Sequence, residues 1–131
     1  MSTFLRIVLA IVVGAHGIGH ILFFVPLLGV ADWGQATQSW LLADGWLAKG
    51  LGGLIWLAAT LGFAAAAFGI FQEMAWWRTV AIVSAAVSAL GLILFWANPV
   101  SSPTFSALVF NLLVLGSLLL FHWPPVAQAS G

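Results

Sequence analysis

Two histidines, His16 and His20, lie four residues apart in the first apolar stretch of the chain, in the run Ala15-His16-Gly17-Ile18-Gly19-His20. On an α-helix this spacing puts both imidazoles on one face. An ionisable side chain at membrane depth needs a partner inside the protein, so a histidine there marks a candidate site. The pair is the strongest indication of function in this sequence.

Metal or cofactor binding is the first chemistry that the pair allows. A zinc site needs three or four protein ligands, and no Asp, Glu or Cys lies in the middle of an apolar stretch, so no metal site is predicted. Two histidines on one helix cannot take opposite faces of one haem iron. One axial ligand, His16 or His20, suffices for a five-coordinate haem or a chlorophyll-type pigment, with Gly17 or Gly19 leaving room for the macrocycle.

Proton transfer is the second chemistry, because imidazole changes its charge near neutral pH. A transporter usually shows broken helices, internal repeats or a charged residue at the bilayer midplane, and the sequence shows none of these clearly. Enzyme chemistry is not predicted, since no nucleophile has an adjacent base and no carboxylates are paired. Glu73 is best explained by an ion pair with Arg78 at a helix end.

The composition is that of an integral membrane protein. Hydrophobic residues make up 63% of the chain and charged residues 5%, which is too little polar surface for a water-soluble globule. The formal net charge is zero and no basic cluster is present, so nucleic acid is excluded as a partner. The absence of cysteine excludes disulfides and thiolate metal sites.

Four apolar stretches reach the length of about 20 residues that a bilayer requires, at residues 4–28, 48–71, 75–97 and 104–123. Short connections join the second to the third and the third to the fourth. The sequence therefore predicts a single transmembrane domain over residues 1–131, with an all-α fold that is an up-down four-helix bundle.

A short interfacial helix is predicted at residues 33–43, between the first two spans. Asp32 is a suitable N-cap with Gln35 three residues on, and Gly45 is a suitable stop. Trp33 and Trp40 would share one face of this helix, as expected in the headgroup region. Most of the other tryptophans fall at predicted span ends, where they are interpreted as interfacial anchors.

Counting along the spans places a layer of polar residues within about two turns of the midplane: His16, Thr60, Ser84 or Ser88, and Asn111. Asn111 is the predicted partner of His16, because an amide offers both a donor and an acceptor to an imidazole. Such a bond between helices contributes about 0.6 to 2 kcal/mol. This bond would explain the presence of a histidine at position 16 by a structural role, without any ligand or reaction.

Basic residues predict the orientation. Arg6 and Arg78 fall on one side of the predicted bundle with Glu73, while Lys49 falls on the other. Because basic residues favour the cytoplasmic side, both termini are predicted to be cytoplasmic.

The motif His16-Gly17-Ile18-Gly19-His20, followed by Trp76-Trp77-Arg78-Thr79, resembles a pattern in small bacterial four-span membrane proteins, and the layout is similar to the DoxX-like group. The resemblance implies the four-span fold and a bacterial inner membrane. It transfers no active site.

The leading hypothesis for function is a non-enzymatic accessory or assembly subunit. It would act through helix contacts with a larger membrane complex or with copies of itself, because little of the chain lies outside the bilayer to recognise a soluble partner. The alternatives are a haem or pigment binder using His16 or His20, and a small transporter or proton-handling protein. The expected partners are the lipid bilayer and other membrane subunits.

Overall fold

Five α-helices follow one another along residues 1–125, the part of the chain that this computed structural model describes. They are α1 (Thr3–Gly19), α2 (Ile21–Leu27), α3 (Trp46–Phe71), α4 (Trp77–Leu94) and α5 (Ser102–Leu115), and a π-helical turn (Gly116–Leu120) continues α5. No β-strand occurs within residues 1–125. The predicted all-helical fold is thereby confirmed. The C-terminus, which the sequence places in the cytoplasm, lies outside the described residues.

Four of the resulting segments are long and apolar enough to cross a membrane, as in a multi-pass membrane protein: Thr3–Leu27, Trp46–Phe71, Trp77–Leu94 and Ser102–Leu120. Two of them begin with a serine N-cap. Ser2 Oγ accepts a hydrogen bond from the Leu5 amide, and Ser101 Oγ accepts one from the Thr104 amide. These bonds satisfy backbone donors that the first turn of a helix leaves open.

The predicted interfacial helix at residues 33–43 is wrong, because this segment is an irregular loop. Asp32 Oδ1 accepts from the Gly34 amide at 2.9 Å, and Gly34 has a φ of +74°, so Asp32 closes a tight turn instead of capping a helix. Ser39 Oγ likewise accepts from the amides of Leu41 and Leu42. Local side-chain bonds of this kind compete with helical backbone bonds.

The loop is held against the end of α4 and the beginning of α5. Trp40 Nε1 donates to the carbonyl oxygen of Ile93 at 2.6 Å, and Ser101 Oγ donates to Gln35 Oε1 at 2.9 Å. Trp40 therefore makes a tertiary hydrogen bond while its side chain stays exposed.

Helix α3 lies at the centre of the packing. It packs closely against α1, α2 and α4, and α5 packs against α4. The backbones of α1 and α5 do not pack extensively against each other in the described structure. The bundle is therefore less tightly closed along the line between its first and last spans.

Two apolar clusters fill the interior. The first contains Val13, Phe63, Ala66, Ile70, Ala81, Ala85 and Leu118. The second contains Phe23, Leu27, Ile55, Trp56, Leu92 and Phe95. They occupy successive levels of the same helices, and the polar residues of the candidate site come from the sequence positions between them.

Glycine allows α1 to approach α3. A Cβ atom at Gly17 would lie 2.7 Å from Cβ of Phe63, and one at Gly14 would lie 3.4 Å from Cβ of Ala67. Gly19 differs from both, since a Cβ there would meet nothing within 4 Å. Two of the three glycines of this helix thus serve packing, and Gly19 borders open space.

Glu73 pairs with Arg6, and not with Arg78 as the sequence suggests. The ion pair joins the first turns of α1 to the turn that follows α3. Arg78 instead donates to the carbonyl oxygen of His122 at 3.3 Å. Sequence proximity favoured the wrong partner for Glu73 because the fold brings Arg6 to the same turn.

The contrast between Gly17 and Gly19 gives a matched test of this packing. We expect Gly17→Ala to lower the free energy of unfolding by about 1–3 kcal/mol, because the new methyl group overpacks the contact with Phe63. Gly19→Ala should change it by less than about 0.5 kcal/mol. Unfolding in mixed micelles, followed by circular dichroism, measures both. Equal stabilities would contradict the close contact between α1 and α3.

Candidate functional site

A layer of polar side chains separates the two apolar clusters. His20, Ser88 and Asn111 are buried, with exposures of 1%, 0% and 0%, and His16 is half-buried. Helices α1, α4 and α5 supply these residues, and His20 lies at the junction of α1 and α2. The layer therefore joins the first, third and fourth spans.

His20 interrupts the first span. Its Nδ1 lies 3.0 Å from the carbonyl oxygen of His16 and 3.3 Å from that of Gly17, while its backbone amide bonds to Gly17. In an unbroken helix the amide of residue 20 would bond to the carbonyl of residue 16. The imidazole hydrogen-bonds to that acceptor here, and α1 ends at Gly19.

A continuous hydrogen-bonded chain runs from His20 to His16. Ser88 Oγ is hydrogen-bonded to Nε2 of His20, and Asn111 Nδ2 donates to Ser88 Oγ at 2.7 Å. Asn111 Oδ1 lies 3.1 Å from Nε2 of His16. The last contact is the one that the sequence predicts between His16 and Asn111.

The partners of each atom assign the protons of this chain when both imidazoles are uncharged. Because carbonyl oxygens only accept, Nδ1 of His20 carries the proton and Nε2 accepts from the Ser88 hydroxyl. Ser88 Oγ then accepts from the Asn111 amide. Oδ1 of Asn111 accepts from Nε2–H of His16. The remaining ring nitrogen, Nδ1 of His16, therefore carries a lone pair.

Nδ1 of His16 makes no hydrogen bond with the described residues. Side-chain atoms that are both buried and unpaired in this part of the chain belong to Arg6, Trp56 and Arg78. Since Nδ1 of His16 is not among them, it keeps accessible surface. The site thus presents one free hydrogen-bond acceptor.

His16 also lines a pocket of about 290 Å³ between the first and fourth spans. The pocket is lined by His16, Gly19, His20, Leu22, Phe23, Pro103, Ser106, Ala107 and Phe110. Leu22 and Ser106 are exposed, so the pocket reaches the outer surface of the bundle. Gly19 contributes to the space because it has no side chain.

Aromatic rings hold the two imidazoles in place. The His16 ring stacks on Phe110 with centroids 4.0 Å apart and meets Phe63 edge to face at 4.8 Å. The His20 ring stacks on Phe63 at 5.7 Å. Rings packed in this way have little freedom to rotate, so the direction of Nδ1 is fixed by packing and by the bond to Asn111.

The structure divides the predicted polar layer into two groups. His16, Ser88 and Asn111 belong to one network, together with His20. Thr60 and Ser84 do not, since their hydroxyls donate to carbonyl oxygens of their own helices, those of Trp56 at 2.8 Å and Val80 at 2.7 Å.

The sequence does not indicate the bond between His20 and Ser88. The position of Ser88 near the predicted bilayer midplane was the one indication, but it does not distinguish Ser88 from Ser84, which lies one helical turn earlier.

The same geometry bears on the metal and haem hypotheses. Within residues 1–125 no group of three His, Cys, Asp or Glu side chains is arranged to hold a metal ion. His20 has both ring nitrogens bonded. The free nitrogen of His16 is Nδ1, which adjoins the carbon bearing Cβ, so a flat macrocycle bound there would run against the helix that carries it. The haem and pigment hypotheses stay predictions.

Comparisons with models of protein families, with curated proteins and with solved structures find no match to this chain. The resemblance of its motifs to small bacterial four-span membrane proteins, and of its layout to the DoxX-like group, therefore stays a prediction.

A double-mutant cycle measures the bond between the first and fourth spans. We expect His16→Leu and Asn111→Leu each to destabilise the protein, with a coupling energy of about 0.6–1.7 kcal/mol. Thr60→Val serves as the control for His16→Leu, because Thr60 bonds only within its own helix. Its coupling to Asn111→Leu should be near zero in the same unfolding measurement. Equal coupling in both cycles would argue against a specific bond.

Proposed function

We propose that this chain is a non-enzymatic membrane protein that binds a small lipid-soluble molecule in the pocket beside His16. The observation that supports this function is that His16, whose Nδ1 makes no hydrogen bond with the described residues, lines a pocket that reaches the surface. The other polar atoms of the layer are bonded to one another, which leaves this nitrogen as the one contact that the network offers to a ligand.

An unpaired acceptor in an apolar environment is unfavourable by about 1–3 kcal/mol. The neighbouring side chains do not relieve this cost, since most of those lining the pocket are apolar. A ligand with a polar group at one point and an apolar body elsewhere matches such a surface. Binding would satisfy the nitrogen and cover the apolar wall at the same time.

The size of the pocket limits the ligand. At about 290 Å³ it lies at the lower end of the range for small-molecule sites. It suits a compact molecule, or the polar end of a longer one whose tail extends into lipid through the opening near Leu22 and Ser106. It is a poor match for a whole tetrapyrrole. The position of His16 Nδ1 agrees with this, because a flat macrocycle bound there would run against the helix that carries His16.

The proposal includes an up-down arrangement of the four spans in a bacterial inner membrane, with the N-terminus on the cytoplasmic side. The ion pair of Arg6 with Glu73 supports it, because it joins the beginning of the first span to the end of the second. Lys49, in the first turns of α3, is separated from Glu73 by most of that helix. The basic excess near Arg6 and Arg78 favours the cytoplasmic side.

A second candidate function is that of an assembly subunit, and the opening between α1 and α5 favours it. Beyond Phe110 a further cavity of about 180 Å³ continues the opening, with Val12, Leu113 and Leu118 among its walls. A helix of another membrane subunit, or of a second copy, could pack along this line. Van der Waals packing of this kind drives helix association in lipid.

Photolabelling in nanodiscs tests the binding function. A lipophilic alcohol carrying a diazirine should label residues of the segment 103–110 in the wild-type protein. Gly19→Leu should reduce this labelling at least severalfold, since its side chain enters space that is empty around Gly19. Gly50→Leu is the matched control, because Gly50 also has open space around its Cβ position and does not line the pocket. Equal labelling in both variants would contradict the proposed site.

Single-cysteine crosslinking tests the assembly function, and the natural absence of cysteine makes each variant unambiguous. We expect Leu113→Cys, modified with a thiol-linked photocrosslinker in native membranes, to give a discrete larger species. Leu61→Cys is the control, since Leu61 and Leu113 are 60% and 63% exposed and Leu61 lies on α3, away from the opening. Identical patterns from both positions would contradict a specific partner at the opening.

A further inference from the structure

We infer that the pocket beside His16 selects a lipid-soluble molecule with a hydrogen-bond donor, such as an alcohol or a phenol, over an equally apolar molecule that has only acceptors. This inference rests on the proposed binding function and specifies the chemical class of its ligand. Its basis is the direction of the hydrogen bonds that end at His16.

The direction is set at the far end of the network. Nδ1 of His20 faces two backbone carbonyl oxygens, those of His16 and Gly17, and neither can donate. Nδ1 must therefore donate, and in an uncharged ring Nε2 must accept. Each following bond then has one allowed direction, through Ser88 and Asn111. The result is an acceptor, Nδ1 of His16, on a residue that lines the pocket.

Reversing the chain would leave an unfavourable contact. If the amide of Asn111 turned over, Nδ2 would donate to Nε2 of His16 and the proton of that ring would move to Nδ1. Oδ1 of Asn111 would then face Ser88 Oγ, next to Nε2 of His20. Ser88 has one hydroxyl proton for these two acceptors, so one of them would be left unpaired in a buried position.

Ser106 adds a second acceptor to the same pocket. Its hydroxyl donates to the carbonyl oxygen of Ser102 at 2.8 Å, with that of Pro103 at 3.3 Å. With its proton used inside α5, the oxygen offers only lone pairs to a ligand. Both ring nitrogens of His20, which also lines the pocket, are already bonded. The polar side chains of the pocket thus offer acceptors and no donor.

A hydroxyl group placed at Nδ1 of His16 would donate a hydrogen bond that an ether or ketone cannot make. An ether oxygen at the same place would set a lone pair against a lone pair. We expect a preference for the alcohol of about fivefold, which is the effect of one ordinary hydrogen bond. Ser88 acts here as a positioning residue, because it fixes the direction of the amide of Asn111 without touching the ligand.

The experiment compares a diazirine-bearing alcohol with its methyl ether, at equal mole fractions in the bilayer of nanodiscs that hold the full chain. The labelling ratio in segment 103–110 is the measured quantity. Wild type and Ser84→Ala should both favour the alcohol about fivefold, since Ser84 bonds only to Val80. Ser88→Ala should bring the ratio close to one, because the amide of Asn111 is then free to turn over. A lower yield through loss of stability alone would leave the ratio unchanged.

The outcomes separate this inference from the function on which it rests. If the alcohol and the ether label the pocket equally in wild type, donor selection is overturned and ligand binding stands. If neither probe labels the segment above its level in Gly19→Leu, both are overturned. Nitrogen-15 NMR of labelled histidine gives an independent readout, with His16→Leu identifying the resonance. An unprotonated Nδ1 in His16 supports the inference, and a protonated Nδ1 overturns it.

Discussion

The imidazole of His20 donates to the backbone carbonyl oxygens of His16 and Gly17, and the remainder of the polar layer depends on this contact. The backbone amide of His20 bonds to the carbonyl of Gly17 while the imidazole bonds to that of His16, and the first span is interrupted after Gly19. The ring loses its choice of proton position, because a carbonyl cannot donate. A local interruption of one helix thus fixes the direction of hydrogen bonds that extend to two other spans.

The network supplies a specificity that apolar packing lacks. In lipid, the faces of the helices are as apolar as their surroundings, so burial alone distinguishes poorly among alternative registers. Sliding the fourth span by one turn relative to the third would move Asn111 about 5.4 Å away from Ser88, which would break a 2.7 Å bond. Each interhelical bond contributes about 1 kcal/mol, and two of them meet at Ser88. The glycine contact of Gly17 with Phe63 then allows the close approach that the network needs.

The parts of this structure that follow from one-dimensional patterns were predictable from the sequence. Apolar length and serine or proline at the ends indicate the long helices, and counting depth brings His16 and Asn111 to the same level. The break at His20 was not predictable, because it depends on a side chain competing for a backbone carbonyl. The loop at residues 33–43 was misread because Asp32 can cap a helix or close a turn with Gly34, and only tertiary contacts such as that of Trp40 decide. Which of Ser84 and Ser88 joins the polar network depends on the rotation of α4 about its own axis, and the sequence does not give this rotation.

The pocket and the polar layer have a common cause in the contact between His16 and Phe110. These rings stack 4.0 Å apart, one from α1 and one from α5, so they stand between two helices whose backbones do not pack extensively together. Smaller side chains at these positions would let the helices approach the distance of about 8–10 Å that is usual for packed pairs. The same imidazole that completes the hydrogen-bonded chain through Asn111 therefore keeps the first and last spans apart. The space beside Gly19 therefore remains because His16, which lines it, also keeps the two helices apart.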